Sequence, residues 1–424
     1  MMKRFGMVAS AVLSLAVAAG EPVKVIFDTD MYADVDDAGA LACLHALADA
    51  GECEILATVS CTRDCLSVAM CEVVNAYYGR PDIPVGCVKG IGVCGDPKGM
   101  NRRVYGAVVE KYATWVRHRN SSDAPDAAEI YRSVLSAQPD QSVVICSVGF
   151  LSNLRKLVES DRDLVVRKVK RWVAMACFYP KGAEFNAKSD WPSSKIALAN
   201  WPTPIVFTDF QYGMDCFAGR LLAESAARDN PVADVFRGTV PGQDSIACNP
   251  AHRLCGFNGA GGRAAWDETA VLVAVRGTEP YFNVHRGSYR MIGETGEDEW
   301  SPDEENGPHL RITEKVDKRD VGRLIDELMC RPPARMRLLR VPQPGRLGAR
   351  PRAERADCRR GHHLAAADCR SRRDYGILST MMKPQANRPE RLRLPRRREA
   401  RAVAREGVAA VARRQVVECQ TCRR

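Results

Sequence analysis

Val23-Lys24-Val25-Ile26-Phe27-Asp28-Thr29-Asp30-Met31-Tyr32-Ala33-Asp34-Val35-Asp36-Asp37-Ala38 is the stretch that decides how the chain is read. Val23 to Phe27 is a short β-rich run, and Ala38 to Ala50 follows as an apolar helical stretch. Between them Asp28, Asp30, Asp34, Asp36 and Asp37 fall within ten residues. So many carboxylates in one folded segment repel one another unless a cation neutralises them. With no His or Cys among them, the oxygen donors suit a hard ion, calcium or magnesium. The plainer alternative is a solvated acidic loop in which an Asp caps the following helix. The apolar strand and apolar helix that flank the run favour the metal, because they hold the carboxylates at a sheet edge.

Outward from this stretch, Glu54 to Ser60, Ser142 to Ser147, Trp172 to Met175, Pro204 to Phe207 and Thr269 to Val273 read as buried strands. Ser67 to Tyr78 reads as a helix broken by Gly79-Arg80-Pro81-Asp82, and Val321 to Met329 as a closing helix. Strands alternating with helices predict the α/β class, an open and mostly parallel sheet with helices on both faces. Ligands of such sheets bind beyond the carboxyl ends of the strands. The acidic loop lies at one such end, and Gly149 to Asn153 at another.

The net charge of +10 is unevenly placed. Residues 331–424 hold 25 Arg, 1 Lys and 8 acidic residues and carry +18, which leaves residues 1–330 at −8. An acidic body argues against a specific nucleic-acid partner, since a basic tail alone is a sequence-independent handle. Lys3 and Arg4, the apolar run Phe5 to Val17 and the small residues Ala16-Val17-Ala18 predict a signal peptide over residues 1–20, and so an exported, periplasmic or extracellular protein. No later run is apolar for long enough to span a membrane. Of the 17 cysteines, 12 precede Cys330. Export permits disulfides, with Cys61–Cys65 and Cys248–Cys255 close enough to pair; the alternative is a set of buried apolar thiols. Residues 21–333 are expected to form the domain. Residues 334–424 are expected to be an Arg-rich disordered tail. Arg replaces Lys there almost completely, as when GC-rich codons are read out of frame, and no periodic apolar face remains.

The segment Asp28 to Ala38 resembles the N-terminal aspartate signature of the inosine-uridine-preferring nucleoside hydrolase family, in the variant with two extra residues before the paired aspartates. Asn75 to Gly86, Gly149 to Leu154, Glu184-Phe185-Asn186 and Trp266-Asp267-Glu268-Thr269-Ala270 resemble further family segments in the right order, so the likeness spans about residues 22–333. The resemblance implies a nucleoside hydrolase fold with a Rossmann-like core. It implies Ca²⁺-dependent hydrolysis of the N-glycosidic bond of small-molecule ribonucleosides, with a metal-bound water as nucleophile. Position by position, it makes Asp30, Asp37, Asp267 and the backbone carbonyl of Ser152 metal ligands. Asp30 is also the general base, and Asp36, Glu184 and Asn186 hold sugar hydroxyls. Asp28 supports the ligands from behind, and Trp266 meets the leaving group. The chemistry is coherent: a metal lowers the pKa of its water, and a nearby carboxylate takes the proton. Carboxylates beneath the sugar stabilise the oxocarbenium-like charge, and direct attack by water inverts the anomeric centre. A homo-oligomer stays open.

Two departures bear on the substrate. Trp266 stands where well-studied members carry His, and an indole N–H cannot protonate a leaving base. Ala176-Cys177 replaces the family's Gly-Gly, and Phe178 replaces an Asn. A phosphatase of the haloacid dehalogenase class also opens with a strand and D-x-D. It expects Thr or Val at the position of Tyr32, and it leaves Glu184-Phe185-Asn186 and Trp266-Asp267 without a role. A catalytically silent calcium- and sugar-binding protein on the same fold is the remaining alternative.

Overall fold

A computed structural model describes residues 20–32, 34–63, 66–94, 100–225, 229–237 and 262–335. The signal peptide and most of the expected tail lie outside these residues, as do Cys65, Cys248 and Cys255.

The chain runs β1 (Val23–Thr29), α1 (Asp36–Asp49), β2 (Cys53–Ser60), α2 (Ser67–Tyr77), β3 (Val85–Cys87), α3 (Met100–Lys111), α4 (Ala127–Ser136) and β4 (Val143–Ser147). It continues through α5 (Ser152–Ser160), α6 (Arg162–Lys168), β5 (Val169–Ala174), β6 (Lys181–Gly182), α7 (Phe185–Ser189), α8 (Trp191–Asn200), β7 (Ile205–Phe207), α9 (Phe210–Gly213) and β8 (Phe217–Gly219). The last elements are α10 (Arg220–Ser225), α11 (Pro231–Arg237), β9 (Gly262–Ala264), α12 (Trp266–Arg276), β10 (Phe282–Ile292), β11 (Glu297–Pro302), β12 (His309–Glu314) and α13 (Lys318–Met329). Ten strands form one sheet in the order β3-β2-β1-β4-β5-β7-β12-β10-β11-β6. The strands from β3 to β12 are parallel, and β10, β11 and β6 add an antiparallel edge. β1 sits between β2 and β4, where the strand order reverses, and its buried run Val25–Thr29 has apolar helices on both sides.

One expectation fails in an instructive way. Thr269 to Val273 belongs to helix α12, not to a strand. Every residue from Trp266 to Val275 is buried, so the run is apolar all round and its composition cannot distinguish a core helix from a core strand. The antiparallel hairpin β10–β11 and the returning β12 were not expected, because charged and Gly-rich stretches interrupt their alternation. Elsewhere strand and helix positions agree to within a few residues, although β1 reaches two residues further and takes in Asp28 and Thr29. Cys43, Cys53, Cys61, Cys71, Cys87, Cys146, Cys177 and Cys216 are buried thiols. No helix among the described residues is long and apolar enough to cross a membrane.

Candidate active site

β1 delivers Asp28, Thr29 and Asp30 to its carboxyl end, and the chain turns there through Met31, whose φ is +40°. The turn is held from inside. Thr29 Oγ1 donates to Asp37 Oδ1, which also accepts from the Met31 amide at 3.0 Å. β4 approaches so closely that a Cβ on Gly149 would lie 2.4 Å from the Asp30 nitrogen, so only glycine fits there. Asp36 and Asp37 occupy the first turn of α1, and Trp266 and Asp267 the first turn of α12. Two helix N-termini therefore aim at one point, where their dipoles favour negative charge.

These elements enclose a pocket of about 270 Å³ lined by Asp30, Tyr32, Asp34, Asp36, Asp37, Val148, Met175, Glu184, Phe185, Asn186, Phe210, Arg263, Trp266 and Asp267. The structure thus gathers Asp30, Asp36, Asp37, Glu184, Asn186, Trp266 and Asp267 from across the chain into one wall. Ser152 is the exception. It opens α5, which turns its carbonyl into the helix ladder, and its hydroxyl donates to Asp190 at 2.5 Å. Val148, just after β4, lines the pocket, and its carbonyl accepts from Asn186 Nδ2 at 3.2 Å. Among the described residues the pocket lining includes Val148, immediately before GFLSN, and none of Gly149 to Asn153.

Six carboxylates on the wall face a single guanidinium. Burial, then mutual repulsion, holds the carboxyls of Asp30, Asp36 and Asp267 well above their ordinary range and pushes Asp37 up to about 7. Behind the wall, Asp28 is wholly buried and pushed up to about 7, despite accepting from Tyr131 Oη at 2.6 Å and Asn153 Nδ2 at 3.1 Å. Asn153 also donates to the Ser60 carbonyl at 3.1 Å. It therefore ties β1 to β2 and does not cap a helix.

Sequence reading did not single out Arg263. It lies on β9 only 2% exposed, with Nη2 2.7 Å from Asp34 Oδ2 and 3.6 Å from Asp36 Oδ1, and its guanidinium stands 5.1 Å from the Trp266 ring. No local pattern could have announced a pair 229 residues apart. Glu268, buried one residue after Asp267, was likewise not singled out.

The donor set fits a hard dication. Oxygens of Asp34, Asp36 and Asp37 lie within 4.8 Å of one another, and Asp36 Oδ1 is buried with no hydrogen-bond partner. A bound cation would satisfy that oxygen and lower the raised carboxyl pKa values together.

The sugar-side residues are partly committed to the scaffold. Glu184 accepts from the amides of Asn186, Ala187 and Cys177 at 2.8, 2.9 and 3.1 Å, which caps α7. Burial still pushes its carboxyl up to about 7. Cys177, where the resemblance leads one to expect Gly, holds φ at +74°, a conformation that favours glycine and strains any other residue. Phe178, Phe210 and Trp266 form a row, with centroids 5.3 and 5.2 Å apart and interplanar angles of 21° and 28°. Trp266 Nε1 donates to the Phe210 carbonyl at 2.9 Å. Gly213 admits the indole, since a Cβ there would come within 2.2 Å of it.

No curated protein matches the chain. Its fold is similar to that of a plant nucleoside hydrolase at 19% identity (73% of this chain, 100% of that chain, TM-score 0.55). It is also similar to a purine-preferring ribonucleoside hydrolase from Gardnerella vaginalis at 16% identity (72% and 97%, TM-score 0.55). A third is an inosine-uridine preferring nucleoside hydrolase from Bacillus anthracis at 14% identity (72% and 99%, TM-score 0.52). At these identities the likeness establishes the fold alone. The family profile described as inosine-uridine preferring nucleoside hydrolase matches residues 25–322. That match encloses the whole described sheet but for the first residues of β1, and every residue of the pocket wall, so the chain belongs to the inosine-uridine preferring nucleoside hydrolase family.

Proposed function

We propose that the protein hydrolyses the N-glycosidic bond of ribonucleosides in a calcium-dependent reaction. The observation that carries this reading is the convergence of Asp30, Asp36, Asp37 and Asp267 on one buried pocket wall, with an Asp36 oxygen that has no hydrogen-bond partner among them. Calcium, when bound, supplies positive charge that neutralises these carboxylates, anchors the sugar hydroxyls and acidifies a coordinated water. Asp30, Asp36, Asp37 and Asp267 would hold it.

The remaining work falls to side chains. Asp30 accepts the proton of the attacking water. Asp36 receives a ribose hydroxyl. Asn186 has both its N–H bonds directed at the Val148 and Met175 carbonyls, at 3.2 and 3.1 Å, so its Oδ1 is the atom offered to the sugar. Glu184 keeps one lone-pair direction after its three backbone bonds. The anionic wall opposes the positive charge that develops on the ribose as the base departs.

A reducing-sugar assay over a nucleoside panel tests the proposal. Turnover should appear with calcium and vanish on chelation with EGTA, and calcium should raise the unfolding temperature. A second reading, a calcium- and sugar-binding protein without turnover, draws on the Trp266 N–H being tied to Phe210. Thermal stabilisation by calcium and by ribose, with no sugar released from any riboside, would establish that reading instead.

A further inference from the structure

The aromatic side of the pocket is a row of rings, and what fixes the row lies outside the pocket. Phe210 is its middle member. Its ring stacks on Phe178 and on Trp266, its amide donates to the Cys177 carbonyl at 3.1 Å, and its carbonyl receives the indole N–H. Phe210 and Trp266 line the pocket.

Arg311, on β12, reaches the chain on both sides of this row. It pairs in register with Phe207 at the end of β7 and is only 7% exposed. Its Nε donates to Asp209 Oδ2 at 2.7 Å. Asp209, the residue before Phe210, is fully buried. It also accepts from Tyr289 Oη at 3.0 Å and from the Gln211 amide at 3.1 Å, so α9 starts from a fixed carboxylate. The Arg311 guanidinium carbon lies over the Tyr179 ring, 3.7 Å from its centroid, and Tyr179 is the residue after Phe178. One cation thus holds the residue before Phe210 and the residue after Phe178. A guanidinium suits both tasks at once, because its N–H groups bond in its plane while its charge rests over a ring.

We infer that Arg311 is a positioning residue for the leaving base. With Asp209 and Tyr179 it fixes the row of rings against which a flat, unsaturated base packs. This rests on the ribonucleoside-hydrolase reading above and adds to it a residue outside the pocket lining. The sugar side is anchored separately: Glu184 and Asn186 keep their places through bonds to backbone groups.

The test measures binding of hypoxanthine, uracil, ribose and calcium to the full chain by calorimetry, beside hydrolysis of a nucleoside panel. Arg311→Met should weaken binding of both bases about tenfold, the worth of a well-placed aromatic contact, and leave ribose and calcium affinity unchanged. Arg311→Lys keeps the charge without the planar fork and should fall between. Tyr179→Leu keeps the ion pair with Asp209 and should weaken base binding about threefold. Should Arg311→Met fail to fold, with Asp209 left as an unpaired buried charge, Tyr179→Leu decides alone. Base affinity unchanged in the folded variants, with the panel still hydrolysed, would overturn the inference and leave the hydrolase reading standing. So would an equal loss of base and ribose affinity, which marks a general loosening of the pocket. A parent protein that binds ribose but neither base, and hydrolyses nothing in the panel, overturns both.

Discussion

Asp298 lies outside the pocket wall, yet it should govern how tightly the pocket holds a sugar. It sits on β11, fully buried, and accepts from the Phe178 amide at 2.7 Å and the Glu184 amide at 3.4 Å. Its own backbone pairs with Gly182 of β6. The loop between Cys177 and Glu184 is thus pinned from the sheet by Asp298 and from within by the Glu184 carboxylate. Asp298→Ala strips two buried amides of their acceptor. The short bond to a charged group is worth about 1.5–3 kcal/mol and the long one less, so the expected loss of stability is about 2–4 kcal/mol. Asp298→Asn should cost less. Burial pushes the Asp298 carboxyl up to about 6, so the charged form is already disfavoured, and Asn has no charge to desolvate. Both variants free Phe178 and Glu184 to move, and KM for any riboside should rise, about tenfold for Ala, with calcium affinity unchanged. Steady-state kinetics, chemical denaturation and calcium titration read the three quantities separately. An unchanged KM in a destabilised Asp298→Ala protein would refute the pinning argument, as would a fall in calcium affinity equal to the rise in KM.

Asp30→Asn should lower turnover by about 10²- to 10⁴-fold, the usual worth of a positioned base, and should raise the unfolding temperature in EGTA, because burial and Asp37 both oppose charge at that site. His45 is buried, stacked on Tyr78 at 4.7 Å, bonded to Asn75 at 2.9 Å and held neutral with its pKa lowered to about 3. The unfolded chain protonates it below about pH 6.5, so its own contribution to stability should fall by about 1.4 kcal/mol per pH unit between pH 6 and 5, against the opposite slope of the raised pocket carboxyls. Denaturation at both pH values should show His45→Gln gaining about 1.4 kcal/mol on the parent protein between pH 6 and pH 5, and a difference that does not change with pH would assign the acid sensitivity elsewhere. The Ala334 amide donates to Asp49 at 2.7 Å, and Arg335 Nη2 donates to the Ala76 and Tyr77 carbonyls at 3.2 and 3.1 Å. Truncation after Arg335 should therefore keep full stability and calcium binding. Truncation after Pro333 should lose about 1 kcal/mol, and equal melting of the two would show that these contacts contribute nothing.

What could be read from the sequence was whatever its local order encodes. Asp28 to Asp37 announce themselves because strand, turn and helix lie within sixteen residues of one another, and the parallel sheet follows from alternating apolar segments. α12 was misread because a helix buried on every side loses the 3.6-residue period that distinguishes it. The Arg263–Asp34 pair and the grip of Asp298 on Phe178 join residues 229 and 120 positions apart. They are properties of the folded sheet that no window of sequence contains.

The buried thiols carry a consequence of their own. Burial pushes Cys87 up to about 11, Cys53 and Cys216 up to about 12, and Cys43, Cys61, Cys71 and Cys177 higher than an ordinary thiol, so none presents a reactive thiolate while the fold is closed. Alkylation of each must wait for its neighbourhood to open. Cys43 reports on α1, Cys71 on α2, Cys146 on β4 and Cys177 on the loop beside the pocket, so pulse labelling read by peptide mass would give a residue-level map of local unfolding without engineered probes. Repeating it with calcium would show how far from the aspartates the ion's grip extends.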